Sequence, residues 1–261
     1  MHSVGTAWLG VRAATVSPYS RGVVPMFSLL TTATSADAAA GRARAAVLPI
    51  GSFEQHGSHL PLVTDTAIAC LIAERIASLY DLFLLPPITV SCSHEHAGFP
   101  GTVSIRATTL VAVVDDIVES LARSGISTIV IVNGHGGNYV LSNVVCQYNE
   151  EGRHAVLFPG KEDWSAARSC AGMLTSLHDD MHGGEFETSI LMYAFPELVG
   201  ETYACADHDV VDRPHFLITG MAGYAPGGII GRPSLASAEK GRAALDSLTK
   251  TFGGHLEALT M

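Results

Sequence analysis

Charge is scarce in this 261-residue chain: Asp, Glu, Lys and Arg together make 15%, against 48% hydrophobic residues. So little charge excludes a disordered or coiled-coil protein, both of which need far more. Basic residues are the scarcer kind, 15 Lys and Arg against 25 Asp and Glu, so the basic footprint of a nucleic-acid binder is missing. No stretch reaches the roughly 18 apolar residues of a membrane span. Cysteine is sparse too. Five scattered residues (Cys70, Cys92, Cys146, Cys170 and Cys205) with no C-x-x-C argue against a disulfide framework or a Cys-rich zinc site, and fit a reducing cytoplasm. Much apolar surface with little charge favours an oligomer over a monomer.

What the chain does have is histidine, twelve of them, several beside carboxylates or glycines. Residues 1–25 read as a weakly patterned extension followed by Met26, an alternative start. Broken by Arg12, Pro18 and Arg21, their apolar stretch is a poor secretory signal. From residue 45 onward strand-like and helix-like segments alternate. AAVLPI (45–50), 83–90, ISTIVIV (126–132) and 155–158 read as strands. Residues 65–79, 109–124, 139–151, 185–195 and 236–258 carry helical spacing, and the Ala-rich 33–46 reads as a short helix or its exit. ISTIVIV is β-branched apart from Ser127 and apolar on both faces, as the interior of a parallel sheet requires. The alternation predicts one layered α/β domain over 26–261 with a largely parallel sheet.

In such sheets ligands gather at loops leaving the carboxyl ends of strands, and four such loops are chemically loaded. GSFEQHGSHLPLVTD (51–65) offers Glu54, His56 and Asp65, a carboxylate–imidazole–carboxylate set that suits a divalent ion; His59 reads as structural or as a support behind them. NGHGGN (133–138) presents His135 between glycines, without the G-x-G-x-x-G or Walker lysine of a nucleotide site. HDDMHGGEFETS (178–189) offers His182 and Glu185, three apart and on one face if the helix begins near His182. Glu187 lies about 200° from Glu185 around a helix, so it reads as a helix N-terminal acid or as a support that orients a histidine. SCSHEHAGFPGT (91–102) holds Ser93, His94, Glu95 and His96, and Ser93 is its candidate for touching substrate. Two histidines and three carboxylates, Glu54, His56, Asp65, His135 and Glu185, suit a pair of divalent ions sharing one carboxylate.

These motifs, in this order and spacing, resemble the creatininase family, over nearly the whole chain from about Phe27. The resemblance implies a three-layer α/β/α domain, a homohexamer and a two-metal centre that hydrolyses amide bonds. It implies Glu54 and His135 on one ion, His56 on the other, and Asp65 bridging both. True creatininases follow NGH with a Tyr and a ligand Glu, where this chain has Gly136 and Gly137; Glu185 is therefore expected to supply the missing carboxylate. The NGHGGN form is closer to the family's formylaminopyrimidine deformylases and mycofactocin precursor peptidases. His182 is expected to deliver a proton to the leaving nitrogen with Glu187 in support, and Ser93, Gly136, His178 and Asp179 to line the substrate site. The tryptophans that close over creatinine fall at about Lys161 and His178, with Trp164 three residues beyond the first, and Arg232 stands where an Asp is common.

The chemistry expected is metal-dependent hydrolysis of a small or non-standard amide. A hydroxide bridging two divalent ions would attack the carbonyl, with Zn²⁺ or Mn²⁺ favoured and Fe²⁺ possible. The substrate would be a small-molecule amide or short peptide, with no nucleic-acid or membrane partner. The competing readings are creatinine hydrolysis, a mycofactocin-type peptidase, and a catalytically silent, metal-stabilised scaffold.

Overall fold

A computed structural model describes residues 31–41, 43 and 45–259. Strands β1 (Ala45–Ile50), β2 (Phe83–Leu84), β3 (Thr128–Asn133) and β4 (His154–Phe158) form a wholly parallel sheet in the order β2-β1-β3-β4. The central pair is in full register, from Ala45 opposite Thr128 to Ile50 opposite Asn133. The helices are α1 (Ser35–Gly41), α2 (Thr64–Tyr80), α3 (Ala107–Arg123), α4 (Val140–Glu150), α5 (Lys161–Cys170), α6 (Glu185–Ala194), α7 (Phe216–Thr219) and α8 (Ala238–Ala258).

Alternation along the strands builds the layers. Val47, Val130, Val132, Val156 and Phe158 pack with Ile72 of α2, Ala167 of α5, Ile190 of α6 and Leu248 of α8. Their neighbours Ala46, Leu48, Ile129, Ile131 and Ala155 pack with Leu110 of α3 and Leu141 of α4. The result is the expected three-layer α/β/α sandwich. Helix α2 is buried without a break over residues 64–73, which explains why Ala67, Ala69 and Ala73 are small.

Helix α2 leaves β1 on one face of the sheet, and α3 and α4 flank β3 on the other. Strand order therefore reverses between β1 and β3, opening a crevice outside their carboxyl ends. All four loaded loops of the sequence meet there.

Besides the four-residue α7, which no signal in the sequence marks, two elements depart from the sequence reading. The strand read over 83–90 shrinks to Phe83–Leu84, because Pro86 and Pro87 bring no N–H to the ladder; Ile88 regains a single bridge, to Ile50. Helix α5 was not foreseen. Its sequence KEDWSAARSC is largely polar, and its start is fixed by Asp163, whose carboxylate accepts from the Gly160 N–H at 2.9 Å. The extension read over 1–25 lies outside the described residues. Among the described residues no helix is long and apolar enough to cross a membrane.

Candidate metal centre

The first turn of α2 is driven against the exits of both central strands. A Cβ on Gly51 would stand 2.3 Å from Thr66 backbone, and one on Gly134 would stand 2.4 Å from the Asp65 carbonyl oxygen. Only glycine allows that approach, and the approach brings Asp65 between the β1 loop with Glu54 and His56 and the β3 loop with His135. All four side chains are buried.

Each ring is oriented by a backbone carbonyl. His56 donates from Nδ1 to the Glu54 carbonyl at 3.0 Å, His135 from Nε2 to Cys92 at 2.9 Å, and His182 from Nε2 to Gln55 at 2.6 Å. A carbonyl only accepts, so the nitrogen facing it carries a proton, and it is the other nitrogen of each ring that faces the site and is left to bind an ion once any second proton is lost. His56 Nε2 lies 2.9 Å from Asp65 Oδ1 and 3.9 Å from Glu187 Oε1. His135 Nδ1 lies 3.0 Å from Asp65 Oδ2 and 3.2 Å from Glu54 Oε1. The two oxygens of Asp65 thus serve two different imidazoles.

Glu54 is held from behind: Oε2 accepts from Ser52 Oγ at 2.6 Å, and Ser52 Oγ is 2.6 Å from Ser93 Oγ. Glu54 Oε1 and Asp65 Oδ2 are buried without a hydrogen bond, which is costly for carboxylate oxygens unless a cation satisfies them. Three sets of ligand atoms lie within 4.8 Å of one another: Glu54–Asp65–His135, His56–Asp65–Glu187 and Glu54–His56–His182. Donor type and the orphaned oxygens both fit divalent cations, with Asp65 common to the first two sets.

Burial works against charge on His56 and His135, but the carboxylates outweigh it. Asp65, Glu187 and Glu54 raise His56 to about 10, and Glu54, Asp65 and Glu95 hold His135 well above its usual value. Burial likewise opposes ionisation of Asp65, yet the two imidazoles hold it far below the usual carboxylate range. Burial pushes Glu187 up to about 7, His56 partly offsetting it. His182 is pushed well below its ordinary value by burial and by the neighbouring His56 and His96; its ring sits 4.1 and 4.3 Å from theirs.

The structure corrects the expectation for Glu185. Its carboxylate turns away from the cluster, accepting from the Leu174 and Thr175 N–H groups at 3.1 and 3.0 Å and pairing with Lys240 of α8. Helix α6 begins only at Glu185, where Asp180 receives the Glu185 and Phe186 N–H groups. His182 lies before the helix, bridged to Ile230, so the two never share a helical face. Glu187, on the opposite side of α6, takes the place expected of Glu185. Its Oε2 accepts from the Gly183 N–H, leaving Oε1 toward His56.

The residues expected to line the substrate site differ in their surroundings. Ser93 is fully buried and its hydroxyl is spent on Ser52, so it steadies Glu54. His178 is exposed and donates to the Val211 carbonyl at 2.7 Å, and Asp179 accepts from Ser176 at 2.6 Å; neither belongs to a ligand set. Gly136 is exposed with open space around it, consistent with a place at the mouth. His59 supports from behind, its Nε2 donating to the Gly183 carbonyl. Trp164 is packed edge-on against Phe186 at 5.2 Å in the core beneath α6, and Arg232 pairs with Asp209 at the surface.

Sequence reasoning passed over two site residues. His96 is buried, its Nδ1 accepting from Gln55 Nε2 at 2.9 Å and its Nε2 lying 3.2 Å from Glu54 Oε1. Glu95 reaches His135 Nε2 at 3.3 Å. Both sit in one short turn, 94–96, with no periodicity to say which of its side chains turn inward; their loop reads as chemically loaded, with a role for Ser93 alone.

A three-layer α/β/α domain that gathers carboxylates and imidazoles at its switch point defines a metal-dependent hydrolase. The chain belongs to the creatininase family, whose model, described as creatinine amidohydrolase, matches residues 29–255. It is 36% identical to the mycofactocin precursor peptide peptidase of Mycobacterium ulcerans, covering 75% of this chain and 78% of that one. It is 28% identical to the creatinine amidohydrolase of Pseudomonas putida, over 77% and 84% of the two chains. A mutant creatininase solved in a Zn–Zn form superposes with a TM-score of 0.69 at 25% identity, covering 85% and 93%. The chain is thus an amidohydrolase of this family, nearer the peptidase than the creatinine enzyme.

Proposed function

We propose that this chain hydrolyses a linear, peptide-type amide at a two-metal centre in which Asp65 serves both ions. The observation that carries the reading is the split of Asp65, Oδ1 toward His56 and Oδ2 toward His135. Glu54, Asp65 and His135 would hold one ion; His56, Asp65 and Glu187 the other. Mixed imidazole and carboxylate donors suit Zn²⁺ or Mn²⁺. Bound there, the pair supplies a water acidified towards a pKa of about 7 and polarises the scissile carbonyl.

The protein's own groups do the rest. Ser52, backed by Ser93, fixes Glu54. The Gln55 carbonyl fixes the proton on His182 Nε2, so Nδ1, which faces the cluster, takes the water's proton and passes it to the leaving nitrogen. Burial of Glu54, His56, Asp65 and His135 excludes bulk water from them.

A linear amide is favoured because neither of the two positions at which the resemblance expects a ring-closing tryptophan holds one. Lys161 and His178 are exposed, and Trp164 is committed to the core. The same reading takes 26–261 as one domain and, from five free cysteines, a cytoplasmic setting. Exposed Leu217 and Ile218 support an oligomer of the hexameric kind the resemblance implies. The test is turnover by zinc- or manganese-loaded protein on short peptides, formamides and creatinine. Peptides should be cleaved fastest; creatinine turnover equal to that of any peptide would overturn the linear-amide reading, and inertness toward all of them would leave a scaffold.

A further inference from the structure

Glu95 belongs to none of the ligand sets, yet the fold makes room for it from two sides. A Cβ on Gly137 would stand 1.8 Å from Glu95 Oε1 and 2.4 Å from His135 Nε2. Gly137 is absent from the glycines with positive φ, so its backbone suits any L-residue; what its bareness provides is space. On the other side Gly220, with φ +63, brings its Cα against the Glu95 backbone, where a Cβ would meet the carbonyl oxygen at 2.7 Å. Glu95 is thereby pinned in the 94–96 turn with its carboxylate in the gap left by Gly137.

That carboxylate lies 3.3 Å from His135 Nε2, the nitrogen whose proton also goes to the Cys92 carbonyl at 2.9 Å. Nδ1 of the same ring faces Glu54 and Asp65. A carboxylate behind an imidazole fixes its tautomer and plane and makes the far nitrogen a better donor. We propose that Glu95 is a positioning residue for His135: by accepting from Nε2 it holds Nδ1 on the ion shared with Glu54 and Asp65, and Gly137 is glycine because that carboxylate needs its space. This rests on the two-metal reading above.

The test is stepwise release of zinc from the holoenzyme to a competing chelator, with thermal unfolding at saturating zinc as a check on the fold. In Glu95→Ala one of the two ions should be held roughly 10–100-fold more weakly, the other as in the wild type, with unfolding unchanged. Glu95→Gln keeps an acceptor in place and should recover part of the loss. Gly137→Ala puts a methyl where the carboxylate lies and should weaken the same ion. Wild-type release from Glu95→Ala, a Gln variant as weak as Ala, or wild-type release from Gly137→Ala would each overturn the proposal. A wild type that holds no zinc would instead overturn the two-metal reading, and this inference with it.

Discussion

At the scale of single residues, Asp65 concentrates the chemistry. It is the one side chain whose two oxygens face two different imidazoles, and its own position depends on contacts at Gly51 and Gly134. Asp65→Ala should therefore cost both ions, and elemental analysis should fall from near two per chain to well under one; two tightly held ions in that variant would show that Asp65 is no bridge. The pair Glu185 and Glu187 tests the proposed ligand against a strut. Glu187→Gln should lose one ion with activity falling steeply. Glu185→Gln should keep both, but lose about 1–3 kcal/mol in urea unfolding, because Lys240 is left facing an uncharged partner. That Glu54, His56, Asp65 and His135 would gather at one place was legible from loop position and donor type. Glu187 was not. The sequence shows that the two glutamates point apart, but which one faces the sheet edge is decided by Lys240, far along the chain.

Among the elements, the contact of α6 with α8 decides where Glu187 points. A Cβ on Gly241 would stand 2.0 Å from the Ser189 carbonyl oxygen, so the two backbones are nearly touching, with Glu185 reaching Lys240 beside the contact. Alanine at Gly241 would gain roughly 1 kcal/mol of helix propensity, but a backbone carbonyl cannot step aside. Overpacking of about 1–3 kcal/mol should win, more so for so close a clash. Gly241→Ala is expected to unfold at lower urea than the wild type; equal or greater stability would show the helices free to part. The long helices were legible because burial along one stripe leaves a period in the sequence, and β1 and β3 because burial on both faces leaves a short unbroken apolar run. The length of β2 and the existence of helix α5 were not, since one is cut short by prolines and the other is capped through Asp163 rather than marked by an apolar stripe.

On the scale of the whole molecule, four carboxylates gathered in one crevice, Glu54, Asp65, Glu95 and Glu187, make the fold depend on positive charge beside them. Without ions, protons on His56 and His135 supply part of it, which is the direction in which both rings are shifted. An ion at about 100 times its Kd adds about 2.7 kcal/mol, or roughly 5–10 °C in Tm for a domain of this size. Stripping with a chelator should lower Tm by at least that much, and zinc should restore it; a Tm indifferent to chelator would mean that the crevice holds no structural ion. The layered architecture could be read from the alternation of elements alone. The crevice could not, because strand order and the meeting of four distant loops are properties of the assembled sheet.

The glycines at the strand exits also divide the molecule for anyone wishing to change what it cuts. Gly51 and Gly134 lock the ligand-bearing loops to α2 through backbone, so nothing there will accept a new side chain. Gly136 is different: it is exposed beside His135, and a Cβ there would meet nothing within 4 Å. A library aimed at new substrates belongs at that position, where a new side chain has room and leaves the buried carboxylates and imidazoles untouched.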